Sequence, residues 1–243
     1  MKIIKYKKVK NSSYEIMLED NSKITLNEDL ILQEELLLKK EINDIKNLLE
    51  KNKKYEIYTD SLNYLNHKLR TKQELKEYLE KKDYQEKDII NNIIKLESQG
   101  YLNDYRYTEY FIKDHINLSL DGPNKIKDSL EKLGVETDII NEYLYNIDNK
   151  TWFDRIEKYV NKQLKSNKKS LYIFKNKMLI NLINLGYFKE DINECLSRIS
   201  ITNQDDLKEK EKEKLIKKLS KKYTGVILDR KVKEKLYQKG FFD

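Results

Sequence analysis

The chain has 243 residues, 37% of them charged and 38% hydrophobic, and carries a net charge of +7. A mean hydropathy of −0.85 is too polar for a thick globular core and suits thin helical modules that each bury one stripe, and no apolar run is long enough to span a bilayer. One cysteine and two histidines exclude a disulfide within the chain and a clustered zinc site. Together with an N-terminus that has no signal-peptide apolar region, these features predict a soluble cytoplasmic protein.

Residues 2–9, 14–19 and 23–26 alternate in the manner of short strands, separated by turns at 11–13 and 20–22. Asn27 is placed to cap a helix reaching about Leu38, and a second helix is predicted over 41–52 with a hinge at 51–54. A helix with Leu62, Leu65 and Leu69 follows. Thr71 and Glu74 then have the spacing of a capping box, in which the hydroxyl and the carboxylate each satisfy a backbone N–H. The next predicted helix covers 86–98, with Gly100 as its stop. A tyrosine-laden helix carries Tyr105, Tyr107 and Tyr110, and its spacing assigns Tyr110 and Phe111 to the core. Residues 119–122 form a loop before Pro123, which suits the first position of a helix. Thr137 and Ser170 are further candidate caps.

One phrase recurs four times, centred on Asp83, Gly134, Gly186 and Gly240. Leu79, Leu130, Leu182 and Leu236 lie four residues before the centres, and Leu75, Ile126, Met178 and Val232 lie eight before. Tyr84, Val135, Tyr187 and Phe241 follow directly. Two intervals of four place the apolar pair on one helix face, and the glycine fits a left-handed stop whose following residue packs back on the leucine. The centres are 51, 52 and 54 residues apart, which is the mark of tandem repeats. The resulting organisation is an N-terminal segment 1–54, three-helix repeats at 55–100, 101–148 and 149–200, and a partial repeat at 201–243.

Charge is uneven along the chain. Residues 150–243 hold 24 basic and 13 acidic side chains, a balance of +11, and the remainder carries −4. A basic end of this kind suits phosphate or an acidic protein surface. Lys165, Lys168, Lys169, Lys175 and Lys177 are its phosphate-binding candidates. Cys195 sits in an amphipathic stretch and reads as a core thiol. No glycine loop that would cradle phosphate is present, and no catalytic constellation, cofactor site or metal site is expected.

Leu69-Arg70-Thr71 with Glu74-Leu75 and Leu79, then residues 100–104 with Tyr107, Tyr110 and Phe111, then Gly122-Pro123, Lys125-Ile126, Leu130 and Gly134-Val135, resemble the RecX family of recombinase regulators. The similarity is strongest over 61–144. The resemblance implies a mainly α protein of tandem three-helix repeats in an elongated, curved array, here behind a small N-terminal β-strand and helix segment. It implies a non-enzymatic, monomeric regulator that binds the RecA–DNA filament and inhibits RecA ATPase, strand exchange and coprotease activity. By this match Arg70, Lys72, Tyr101, Asp104, Arg106, Lys125 and Lys127 become candidate filament contacts. Arg70 and Arg106 stand out because arginine is scarce in this lysine-rich chain, and a guanidinium fork binds carboxylate or phosphate in a fixed geometry. The structural alternative for both is a salt bridge between adjacent repeats. The functional alternative is a direct single- or double-stranded DNA binder built of helix-turn-helix-like units.

Overall fold

The computed structural model describes residues 1–10, 12–200 and 204–242; Asn11, expected in the first turn, lies outside them. Two compact units divide the chain, one of residues 1–108 and 132–139, the other of residues 109–131 and 140–243.

The first unit opens with an antiparallel sheet of order β1-β2-β3, formed by Ile3–Lys10, Ser13–Leu18 and Lys23–Asn27. Register Tyr6↔Ile16↔Ile24 sends one face inward. There Ile3, Ile16, Leu18 and Leu26 close a core with Leu30, Ile31, Leu36, Ile42 and Leu48. Asn27 caps α1 (Glu28–Gln33) by accepting from the Asp29 amide at 2.9 Å. That helix stops short of Leu38. Glu35 turns left-handed at φ +54°, which swings Leu36 into the core and starts the short α2 (Leu36–Lys39).

The helix α3 (Ile45–Leu65) runs unbroken through the expected hinge at 51–54. Buried Asn52 explains this. Its Oδ1 accepts from the Asn27 amide at 2.7 Å, and its Nδ2 donates to the Thr25 carbonyl at 3.1 Å and to Glu56 at 2.8 Å. The helix is therefore pinned to β3 where a run of lysines resembles a linker. Leu48 serves the sheet's core, and Ile57 serves a second core with Leu75, Leu79, Ile89, Leu96 and Leu102. Leu69 lies beyond the helix and is exposed. The capping box forms as expected at the start of α4 (Lys72–Glu80), and α5 (Glu86–Ser98) follows.

α6 (Asp104–Leu118) runs from the first unit into the second. After it come α7 (Pro123–Lys132), α8 (Thr137–Tyr145), α9 (Asn149–Leu164), α10 (Leu171–Asn184), α11 (Lys189–Ser197), α12 (Gln204–Leu219) and α13 (Gly225–Gln238). Thr137 is the first residue of α8, and Ser170 caps α10. The buried stripe of α6 is Asp104, Thr108 and Ile112, so Tyr110 is exposed and Phe111 only half-buried, contrary to the sequence expectation. Two of those three buried positions are polar, which hides the stripe from a hydrophobicity reading; Thr108 satisfies its hydroxyl on the Asp104 carbonyl at 2.7 Å.

All eight apolar positions before the phrase centres are buried. The centres are left-handed, with φ of +61° at Asp83, +77° at Gly134, +88° at Gly186 and +75° at Gly240. The following amide returns to the leucine carbonyl at 3.4 Å for Tyr84, 3.1 Å for Tyr187 and 3.0 Å for Phe241.

Each glycine turn also docks on the start of the helix that precedes it by one repeat. The Thr71 hydroxyl donates to the Leu133 carbonyl at 2.7 Å, the Gly122 amide to the Leu185 carbonyl at 2.6 Å, and the Ser170 hydroxyl to the Lys239 carbonyl at 2.6 Å. In every case the acceptor is the residue just before the glycine. A Cβ at Gly134 would lie 2.6 Å from Gln73 Cγ, so contact as well as φ demands glycine there.

Gly134→Val is expected to destabilise the protein by about 3 kcal/mol, adding a steric clash to the left-handed penalty. Gly100 has φ +76° but open space around it, so Gly100→Ala should cost only about 1–2 kcal/mol. Thermal unfolding followed by circular dichroism checks the ranking, and equal melting shifts would refute the contact argument.

Candidate partner-binding site

Five of the seven family-matched candidates serve the first unit's own structure or face solvent around it. Arg70 lies over the Tyr64 ring, 4.3 Å from its centroid, and its guanidinium donates to Glu74 Oε1 at 2.8 Å. The other oxygen of Glu74 accepts from the Thr71 amide at 3.1 Å, so Arg70 braces the capping box of its own repeat. Its Nε is buried without a hydrogen-bond partner. Lys72 pairs with Glu97 at 2.9 Å, and this bond raises its pKa against the opposing effect of burial. The Lys72 amide donates to Asp104 Oδ1 at 3.1 Å. Asp104 is buried, and burial pushes its carboxyl pKa up although that amide partly offsets it. It therefore acts as an inter-helix cap on α4. Tyr101 and Arg106 are exposed on the neighbouring surface.

Lys125 and Lys127 belong to α7 in the second unit. Lys125 Nζ lies 2.6 Å from Asp121 Oδ1, and Lys127 donates to Asn141 at 3.0 Å. Asp121 also meets His115 Nδ1 at 3.1 Å. Burial works to raise its pKa, but Lys125 and His115 outweigh that and hold the carboxyl below its ordinary value.

The loop 119–122 is organised by Arg155, which the sequence reading did not single out. Its guanidinium donates to the carbonyls of Ile116, Ser119 at 3.0 Å and Asp121 at 3.1 Å, and its Nε to the Tyr187 hydroxyl at 3.3 Å. The Tyr187 hydroxyl in turn donates to the Leu120 carbonyl at 3.2 Å. A positive group at the carbonyl end of α6 also complements the helix dipole. The scarcity that drew attention to Arg70 and Arg106 was the available signal, since the chain has only five arginines.

The lysines chosen by charge alone are placed differently. Lys165 caps the end of α9, Lys168 and Lys169 lie in the connection to α10, and Lys175 and Lys177 lie on α10. Lys165, Lys168, Lys169 and Lys177 are exposed and Lys175 is half-buried. Among the described residues none of these five ammonium groups makes an ion pair or side-chain hydrogen bond. Lys168 and Lys169 also line a cavity of about 240 Å³ with Ser170, Glu211 and Lys239.

Among the described residues no group of three or more His, Cys, Asp or Glu side chains could hold a metal ion. Cys195 is buried, and burial pushes its thiol up to about 11, away from the nucleophilic thiolate. No helix among the described residues is long and apolar enough to cross a membrane.

Residues 58–96 match the family described as RecX, first three-helix domain. A regulatory protein RecX of Bacillus cytotoxicus is 31% identical over 82% of this chain and 75% of its own length. Another, from Oceanobacillus iheyensis, is 28% identical over 99% of this chain and 92% of its own. A crystal structure of a regulatory protein RecX covers 81% of this chain and 99% of its own, with a TM-score of 0.67 at 20% identity, and shows the same fold.

Asp104→Asn keeps an acceptor for the Lys72 amide and should change stability by no more than about 0.5 kcal/mol, while Asp104→Ala should cost about 1–2 kcal/mol. Denaturant titration of both variants checks this, and a harmless alanine would sink the cap assignment. Asp121 makes the opposite case. Its folded pKa is depressed, so its contribution is complete above about pH 4 and lost as pH falls through the folded value. Wild type should therefore exceed Asp121→Asn by about 1 kcal/mol at pH 7, with the gap closing as the solution is acidified below pH ~4. A gap independent of pH would remove Asp121's ion pairs from the account.

Proposed function

The chain belongs to the RecX family of regulatory proteins, and from that premise we propose that it is a non-enzymatic regulator that binds the RecA–DNA filament. In this reading it inhibits RecA ATPase, strand exchange and coprotease activity, and acts as a cytoplasmic monomer. The supporting observation is the set of five unpaired ammonium groups at Lys165, Lys168, Lys169, Lys175 and Lys177. Unlike Arg70, Lys72 and Lys125, these charges are not consumed by the protein's own carboxylates. They are available to phosphate or to an acidic protein patch, and would add affinity and speed of association. Tyr101 and Arg106 are family-matched side chains exposed to a protein partner.

A second reading, direct binding to DNA without the recombinase, draws on the same lysines. The helices that follow the caps, α4, α7, α10 and α13, share no basic or amide pattern suited to base edges. Any such binding would therefore read the phosphate backbone alone.

Substoichiometric protein is expected to depress RecA ATPase on single-stranded DNA. The triple substitution Lys165→Glu, Lys168→Glu and Lys169→Glu should weaken this at least about tenfold, with stability held within about 0.5 kcal/mol per exposed site. An unaffected ATPase would end the inhibitor reading. Tight duplex binding at physiological salt in the absence of recombinase would favour the second one.

A further inference from the structure

The three docked turns leave two unmatched surfaces of the same design. In each joint a helix cap donates to the carbonyl just before a left-handed residue one repeat further on. Thr71, Gly122 and Ser170 are all buried in these joints. The cap in the same position of α13 is Thr224, which is exposed and makes no side-chain cap bond. Val226, two residues on, is 84% exposed and Ile227 is 61% exposed. The other unmatched surface is the turn of the first phrase. Asp83 is exposed and left-handed, and no described cap donates to the Lys82 carbonyl before it.

We propose that the Thr224 cap and the Asp83 turn are complementary halves of the joint that the chain forms three times internally, and that the Asp83 side chain keeps a second copy of the chain from docking there. The formed joints show why a side chain is disqualifying. A Cβ at Gly134 would lie 2.6 Å from Gln73 Cγ, one at Gly186 2.6 Å from Lys125 Cβ, and one at Gly240 2.7 Å from Ser170 Oγ. At this position any residue but glycine collides with the cap itself or with the residue two or three positions after it.

Backbone preference does not explain aspartate at this position. A left-handed non-glycine residue costs about 1–2 kcal/mol, and the other three phrases avoid that cost with glycine. Asp83 is the one centre that contacts no cap, and it is the one that carries a side chain. A turn docked on the cap of another copy would be a heterologous contact that does not close, and copies would add in an open series. Blocking one half of the joint leaves Val226 and Ile227 exposed on the other without polymerisation, as polar ends do in repeat proteins.

The block is steric, so removing the charge alone does not lift it. The test is sedimentation velocity over a range of concentrations for wild type, Asp83→Gly, Asp83→Ala, and Asp83→Gly combined with Val226→Lys. Glycine is at ease at φ +61°, so Asp83→Gly should fold with an equal or higher melting temperature, and Val226 is too exposed for lysine to disturb folding. Wild type and Asp83→Ala are expected at 29.4 kDa throughout. Asp83→Gly should rise with concentration to at least about twice that mass, and adding Val226→Lys should restore the monomer. A folded Asp83→Gly that stays monomeric overturns the proposal. So does association of wild type or of Asp83→Ala, or association that persists with Val226→Lys.

Discussion

A carbonyl just ahead of a left-handed residue, held by the cap of an earlier helix, is the contact on which the repeats depend. It appears as Thr71 to Leu133, Gly122 to Leu185 and Ser170 to Lys239. At a helix end the last carbonyls lack intrahelical partners, and at a helix start the first amides lack theirs. The joint places one kind of terminus on the other. A cap hydroxyl can accept from its own helix and donate to the incoming carbonyl, as Ser170 does with the Ile173 amide and the Lys239 carbonyl. The approach is so close that the turn must be glycine, and the apolar pairs behind it must lie on the face that fills the core.

This arrangement decides which charges remain for function. Thr71 can meet Leu133 only if its capping box is firm, and Arg70 braces that box through Glu74. Asp104 satisfies the next amide, that of Lys72. In the second unit Arg155, Asp121 and Tyr187 order the loop that leads to Gly122 and its joint. The residues that carry the family resemblance are thus largely those that make the joints work. The unpaired lysines between α9 and α10 lie outside this machinery, which leaves them available for a partner.

Resemblance and charge therefore point to different residues for different physical reasons. A motif shared across a family marks positions where few residue types suffice, and a buried cap such as Asp104 is as restrictive as a binding contact. A solvated ammonium such as Lys168 tolerates its surroundings, so no motif marks it.

The sequence by itself determined the period, the caps at Asn27, Thr71 and Ser170, the left-handed stops and the apolar positions before them. Apart from the period, each is written in a few neighbouring residues, within reach of two or three helical turns. Tertiary structure alone decided what lies far apart in the chain. Asn52 binds across 25 residues to Asn27 and makes one helix of an expected hinge. Polar Asp104 and Thr108 occupy a core stripe because their partners are supplied by the Lys72 amide and by a backbone carbonyl of their own helix. Arg155 finds three carbonyls more than 30 residues away. A polar group is buried only where its partners converge, and convergence over such distances is a property of the folded chain rather than of any local pattern.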